Sequence, residues 1–102
     1  MSAGWPRAGV LDEAKELVTS SRNDQYGPPT GDFQRSADAL NAYGYKGPGG
    51  RELQSHDIAI MIAAVKISRI TWNPDNRDNW VDLAGYAACG YECAMEDGGF
   101  GT

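Results

Sequence analysis

Residues 55–72 of the chain read SHDIAIMIAAVKISRITW, and drawn as a helix they are apolar on nearly every side. The run is too long for a strand, and its β-branched residues stand among Ala and Met. Ser55 is a suitable N-cap, and Asn73 followed by Pro74 ends the helix. A helix that is apolar all round lies in the middle of a fold, so this stretch predicts a central helix.

Three further helices are predicted around this segment, separated by clusters of Gly, Pro and Asn. The next helix opens at Asp75 or Asn76, runs to about Glu96, and is rich in Ala and Gly, which permits close packing against the central helix. The first helix runs from about Val10 to Arg22 and is amphipathic. The second follows a Gly-Pro-Pro break and carries these residues at helical spacing: Phe33, Ala37, Leu40 and Tyr43.

Length and composition set the class of protein. A chain of 102 residues suits one domain, predicted as an all-α four-helix bundle over residues 1–102 with its core at about 10–96. No apolar stretch approaches the ~20 residues of a membrane span, and the N-terminus lacks the layout of a secretory signal. We therefore expect a cytoplasmic protein without a membrane partner. Its two cysteines, Cys89 and Cys93, are expected to be small core residues.

Charge and excess apolar surface bear on the partners. The net charge of −5 argues against duplex nucleic acid as the main partner, because phosphate binding needs a basic face. Two helices that are apolar all round leave more apolar surface than a domain of this size covers easily. A homodimer or homotetramer is expected to bury the excess.

Charged residues inside the two apolar helices are the informative ones, because a charge is costly in a core. Asp78 and Asp82 lie ~40° apart on a helical wheel and share a face. Lys66 and Arg69 are ~60° apart and share another face, while Asp57 lies well around the helix from Lys66. The helices thus offer an acidic pair and a basic pair.

Two interpretations of these pairs stay open. Two adjacent carboxylates suit Mg²⁺, which accepts helix-borne oxygen ligands, and a nearby Lys and Arg suit the phosphates of a nucleotide. Alternatively, Asp82 pairs with Lys66 or Arg69 as a structural salt bridge between packed helices.

Two more candidates lie in or near the first helix. Arg22 and Tyr26 follow that helix, where an arginine can hold phosphate and an aromatic ring can stack on a base. Tyr26 could instead pack beneath the two prolines that follow it. Glu13 and Glu16 form an E-x-x-E pair, which is either a shared ligand site or a solvated acidic face.

Three motifs carry a family resemblance over residues ~10–94: VLDEAKELV followed by an Arg and a Tyr-Gly, then DIAIMIAAVKISRI, then DNWVDLAGYAACG. They resemble a small family of uncharacterised bacteriophage and prophage proteins, whose members look like distant relatives of the MazG-type all-α nucleotide pyrophosphohydrolases. Those enzymes hold Mg²⁺ with an E-x-x-E and an E-x-x-D pair. Here the corresponding pairs are Gln54-x-x-Asp57 and Asn79-x-x-Asp82, so Asp82 matches a ligand position and Asp57 is the second candidate.

The resemblance implies a MazG-like, Mg²⁺-dependent hydrolysis of a nucleoside triphosphate to monophosphate and pyrophosphate in the host cytoplasm. Asp57, Asp78 and Asp82 would hold the metal, and Asp57 and Asp82 would be catalytic. Substrate would be bound by Lys66, Arg69, Arg22 and Tyr26. Two alternatives remain: a phage protein that binds and sequesters a nucleotide without turnover, as an antagonist of host defence, and a helical assembly module whose charges only fix the packing of its helices.

Overall fold

The computed structural model describes residues 4–19 and 25–98, and this part of the chain forms a single small all-helical domain without strands. It contains four α-helices of at least 14 residues. In chain order, α1 is Pro6–Thr19, α2 is Pro29–Ala42, α3 is Ser55–Trp72 and α4 is Arg77–Glu96. A short 3₁₀ turn, Pro48–Gly50, stands between α2 and α3. The predicted all-α, four-helix architecture is confirmed.

The helix ends follow local capping chemistry. Asn76, one of two predicted positions, caps α4 by accepting a hydrogen bond from the Asp78 N–H at 3.1 Å. The cap of α3 is Gln54 and not the predicted Ser55. The reason is a capping box, in which the side chain of Asp57 accepts a hydrogen bond from the Gln54 N–H at 2.8 Å. Helix α1 begins four residues earlier than predicted, at a proline that suits the first turn.

The four helices pack in pairs around α3 and α4. These two run antiparallel, since Ala59 lies against Gly90 and Lys66 contacts Asp82. Helix α2 packs on α3, and α1 packs along α4. The segment before α3 is fixed to α2 by Asn41, whose side chain accepts a hydrogen bond from the Leu53 N–H at 2.8 Å and donates one to its carbonyl at 3.0 Å.

The core lies where α2, α3 and α4 meet. Phe33 of α2 is buried and its ring stacks against Tyr86 of α4, with ring centroids 6.1 Å apart. Cys89 and Cys93 are both buried, which confirms their predicted place in the core. The remaining buried residues of this cluster are Ala37, Leu53, Ile58 and Ala59.

Helix α3 is not enclosed, contrary to the prediction of a central helix. Its outer side exposes five large apolar residues, Ile60, Met61, Val65, Ile67 and Trp72. Helix α1 lies along α4, so the described helices that cover α3 are α2 and α4. No helix of the described part is long and apolar enough to cross a membrane.

Candidate functional site

The central feature of the site is an ion pair between α3 and α4. Lys66 Nζ donates to Asp82 Oδ2 at 2.9 Å, and the two side chains are 14% and 35% exposed. Of the two predicted partners of Asp82, the structure therefore selects Lys66. The half-exposed carboxylate remains reachable by a ligand, so the pair is both a link between helices and a polar edge of a surface site.

Two other predicted residues lie one helical turn from this pair. Arg69 follows Lys66 by three positions on α3, and Asp78 precedes Asp82 by four on α4. Because the two helices are antiparallel, both residues lie on the side of the pair that is nearer the α3–α4 loop. Asp78 and Arg69 are exposed, and within the described residues no carboxylate lies at ion-pair distance from Arg69. These four charged residues form what we call the charged strip.

A cavity of ≈220 Å³ lies next to the charged strip, between α1 and α4. Asp82 lines it together with Tyr26 and Tyr86. Its remaining walls are mostly apolar, from Ala14, Leu17, Val18, Val81 and Cys89. Helix α1 approaches α4 closely here because residue 85 is glycine, and a Cβ at that position would lie 3.3 Å from the Val18 side chain.

A second cavity of ≈310 Å³ adjoins the first, since Tyr26 and Tyr86 line both. Ile62 of α3 and Phe33 of α2 supply its apolar walls. Asp32 and Ser36 add polar groups from α2. The sequence pattern marks Asp32 only as a possible helix cap and does not mark Ser36, because a polar residue on an amphipathic helix carries no distinguishing signal. We call the two cavities with their shared tyrosines the tyrosine site.

Asp57 lies elsewhere and has a different role. The Arg51 guanidinium donates to both of its carboxylate oxygens, at 2.7 and 2.9 Å. That hydrogen-bonded guanidinium lowers the pKa of Asp57, against burial, which raises it, and with help from the Gln54 N–H. Asp57 precedes Lys66 by nine positions on α3, about 13 Å along the axis. The structure therefore does not bring Asp57 to Asp82, and the Gln54-x-x-Asp57 spacing reflects a capping box.

A second carboxylate, almost buried, lies near Asp57, at the junction of the N-terminus of α3 and the C-terminus of α4. Asp97 accepts hydrogen bonds from the Ser55 hydroxyl and the His56 N–H, each at 3.0 Å, and contacts His56 Nδ1 at 2.8 Å. Burial raises the pKa of Asp97, but the hydrogen bonds from His56 and Ser55 outweigh it and the net pKa is below its ordinary value. This cluster joins two helix ends, and no local sequence pattern indicates it because its members are about 40 residues apart.

Metal ligation by three predicted carboxylates is not supported by proximity. Within residues 4–19 and 25–98, no group of three or more His, Cys, Asp or Glu side chains could hold a metal ion together. Asp78 and Asp82 lie on one face of α4, and Glu13 forms an ion pair with Arg77. Arg22 lies outside the described residues. A magnesium site at Asp78 and Asp82 stays a prediction.

Sequence comparisons point to bacteriophage proteins. The profile of the family described as Domain of unknown function (DUF6378) matches residues 9–94. The chain is 34% identical over 80 residues to the Gene 55 protein of Mycobacterium phage D29, covering 78% of this chain and 50% of that protein. It is 33% identical over 78 residues to the Gene 55 protein of Mycobacterium phage L5, covering 76% and 47%. The chain thus spans about half the length of these relatives.

These matches confirm the predicted resemblance to uncharacterised phage proteins. No solved structure matches the chain. The likeness to MazG-type pyrophosphohydrolases stays a prediction.

Proposed function

The chain belongs to the DUF6378 family, and on that premise we propose that it binds a nucleotide, or a small molecule derived from one, at the tyrosine site without hydrolysing it. The observation that supports this most is the adjacency of two tyrosine-lined cavities and a charged strip. Tyr26 and Tyr86 line both cavities, and Asp82, which lines the first, is held at 2.9 Å by Lys66. A planar base can stack on the tyrosine rings, and a phosphate group can pair with the cations of the charged strip.

The base would occupy the cavities beside the two tyrosines. Tyr26 is 54% exposed, so a ligand can reach its side chain from solvent, and Tyr86 is held in place by its stacking on Phe33. Stacking of one base on an aromatic side chain is worth ~1–3 kcal/mol. The first cavity, at ≈220 Å³, is small for a whole nucleotide, which favours a pose that extends along the protein surface toward the charged strip.

The phosphates would meet the charged strip. Arg69 is exposed and offers a planar fork that suits phosphate oxygens, and Lys66 offers a point charge. The strip is electrically neutral because Asp78 and Asp82 balance the two cations. Mg²⁺ is commonly held by one or two carboxylates together with substrate phosphates, so these two aspartates suit a magnesium–nucleotide complex better than they suit a free metal ion.

Binding is favoured over hydrolysis by the position of Asp57. A hydrolytic centre of the MazG type would need further carboxylates near Asp82 to hold the metal that activates water. Asp57 is instead bonded to Arg51, about 13 Å along α3 from Lys66. Hydrolysis to monophosphate and pyrophosphate is the second candidate, and the Asp78–Asp82 pair is the feature that favours it.

Titration calorimetry against a panel of nucleotides, with and without Mg²⁺, tests the proposal. At least one nucleotide should bind and be recovered intact by chromatography. Tyr26→Ala and Lys66→Ala should each weaken its binding roughly tenfold or more. Tyr45→Ala and Lys46→Ala are the matched controls, because both residues are exposed in the loop after α2 and neither lines the tyrosine site, so they should leave the affinity unchanged.

Other outcomes would replace the proposal. Release of pyrophosphate that disappears in Asp82→Asn would establish hydrolysis instead of binding. If no nucleotide binds, the melting temperatures of two variants decide the role of the ion pair. Equal lowering of the melting temperature in Lys66→Ala and in the double variant Lys66→Ala/Asp82→Ala would show that the two side chains stabilise the protein as a pair. The ion pair is then structural, and the helical assembly module is the better description.

A further inference from the structure

The outer side of α3 is an apolar surface that the described part of the chain leaves uncovered. Residues 58–65 read IAIMIAAV and carry no charged or polar side chain. Ile60 is 62% exposed and Ile67 is 53% exposed, and helical spacing places both on one side of α3. Exposed apolar patches of this continuity usually mark an interaction surface.

The exposed side chains of Ile60 and Ile67 form a ridge along α3. Beside it lies an apolar groove of ≈230 Å³ between α3 and α4. Small residues form most of it, including Ala63, Ala87 and Ala94. Gly90 lets the two helices approach closely, since a Cβ there would lie 3.1 Å from the Ala59 Cβ. A ridge of large side chains therefore stands next to a recess lined by small ones. We call the ridge and the recess together the α3–α4 face.

We propose that the α3–α4 face binds a second copy of the chain, with Ile60 of each protomer packed into the groove of its partner. A twofold interface is isologous, so the same surface must supply both the protruding and the receiving groups. The α3–α4 face has both, side by side. A partner of unrelated shape would not need this internal match between ridge and recess.

Charge favours the same arrangement. Each protomer carries a net charge of −5, so two copies repel wherever their acidic surfaces meet. Residues 58–65 carry no charge, and therefore two copies that meet through this stretch of α3 bring no like charges of it into contact. Aligned apolar faces exclude water, which supplies the driving force for association.

The two helices are long enough for an interface of standard size. Helices of 18 and 20 residues are about 27 and 30 Å long, and neighbouring helices lie about 8–10 Å apart. The recess occupies the N-terminal half of α3 and the C-terminal half of α4, so the rest of the ~800 Å² that each partner of a standard interface contributes has to come from the residues around it.

Sedimentation equilibrium on the full chain tests the proposal. The wild-type protein should sediment with about twice the 11.0 kDa mass of one chain at micromolar concentration. Ile60→Glu should weaken association roughly 30-fold or more. Leu11→Glu is the matched control, because Leu11 is also 62% exposed but lies on α1, and it should leave the association constant unchanged.

A second variant guards against misfolding. Ala63→Glu fills the groove instead of removing the ridge and should also yield monomers, with helical circular dichroism equal to that of wild type. A wild-type protein that remains monomeric at ~100 μM, well above the Kd of a standard interface, would overturn the proposal. Equal loss of association in Leu11→Glu and Ile60→Glu would also overturn it, by showing that any added charge disrupts the assembly.

Discussion

Asp97 shows what a single residue contributes when two helix ends meet. Its carboxylate is almost buried, yet three groups of Ser55 and His56 lie within 3.0 Å of its oxygens. The N-terminus of α3 carries unpaired N–H groups and a partial positive charge, which a carboxylate stabilises. Asp97 therefore acts on α3 much as a capping residue would, although it belongs to the end of α4.

Acid should weaken this contact. Because the pKa of Asp97 is lowered in the folded state, its contribution to stability is complete above the unfolded value and is lost as pH falls through the folded one. Asp97→Asn should lower the free energy of unfolding by about 1–2 kcal/mol at neutral pH. That difference should shrink as the pH is lowered from about 5 to about 2, as measured by urea unfolding.

Asp75→Asn is the control for this experiment. Asp75 is exposed in the loop before α4, so its replacement should change the unfolding free energy by less than about 0.5 kcal/mol at any pH. If Asp97→Asn and wild type differ by the same amount at neutral and at acid pH, the carboxylate charge is not what joins the two helix ends.

Asp82 and Asp57 also show how far the partner of one residue can be predicted from sequence. Lys66 and Asp82 were expected as one of two possible pairs, because both are charges in apolar helices. The Arg51–Asp57 pair was not foreseen. Arg51 follows a glycine-rich turn, where an arginine is ordinary, and only the fold of that loop brings its guanidinium to Asp57.

At the scale of elements, the helix ends were the most predictable feature. Asn76 was one of two predicted caps for α4, and α3 covers the whole predicted stretch from residue 55 to residue 72. Such ends depend on hydrogen bonds between residues close in sequence. The prediction of Ser55 as the cap of α3 was wrong for a similarly local reason. Gln54 and Ser55 are adjacent, and Asp57 completes a capping box with Gln54, so Gln54 becomes the cap.

Two glycines of α4 allow a test of helix packing. Gly90→Ala places a Cβ 3.1 Å from the Cβ of Ala59, which is fixed to its backbone and cannot rotate away. The strain of overpacking, about 1–3 kcal/mol, should exceed the gain in helix propensity of about 1 kcal/mol. We expect a lower melting temperature for Gly90→Ala.

Gly85→Ala is the matched variant. Its Cβ would lie 3.3 Å from Val18 Cγ1, which is the end of a half-buried side chain and can shift. The propensity gain should then dominate, leaving the melting temperature unchanged or raised. Calorimetry on both variants decides the point, and a stabilised Gly90→Ala would mean that α3 and α4 separate more easily than this packing implies.

At the scale of the whole molecule, Tyr86 connects the two proposed surfaces. It lines both cavities of the tyrosine site and also the groove of the α3–α4 face. A partner packed into the groove would restrict the ring that the ligand contacts. Binding of a second copy and binding of a nucleotide are then coupled through one side chain, if both proposals hold.

This coupling has a measurable consequence. Ile60 does not line the tyrosine site, yet Ile60→Glu should change nucleotide affinity roughly fivefold or more, because the monomer leaves Tyr86 less restricted. Linkage requires that the nucleotide change the dimer association constant by the same factor. Calorimetry and sedimentation measure the two factors independently. Equal nucleotide affinity in wild type, Leu11→Glu and Ile60→Glu would show that the two surfaces act separately.

The sequence by itself determined the helical class, the number of helices, most of their ends and the presence of charges inside the two apolar helices. These features follow from periodicity and capping, which involve residues a few positions apart. Tertiary structure alone decided which partners Asp57 and Asp82 take, that Asp97 joins two helix ends, and that α3 exposes an apolar side. The Lys66–Asp82 and Ser55–Asp97 contacts join residues 16 and 42 positions apart and depend on how the helices pack, so they leave no local pattern. The Arg51–Asp57 contact joins residues only six positions apart, but it depends on the path of the irregular loop before α3, which helical periodicity does not predict.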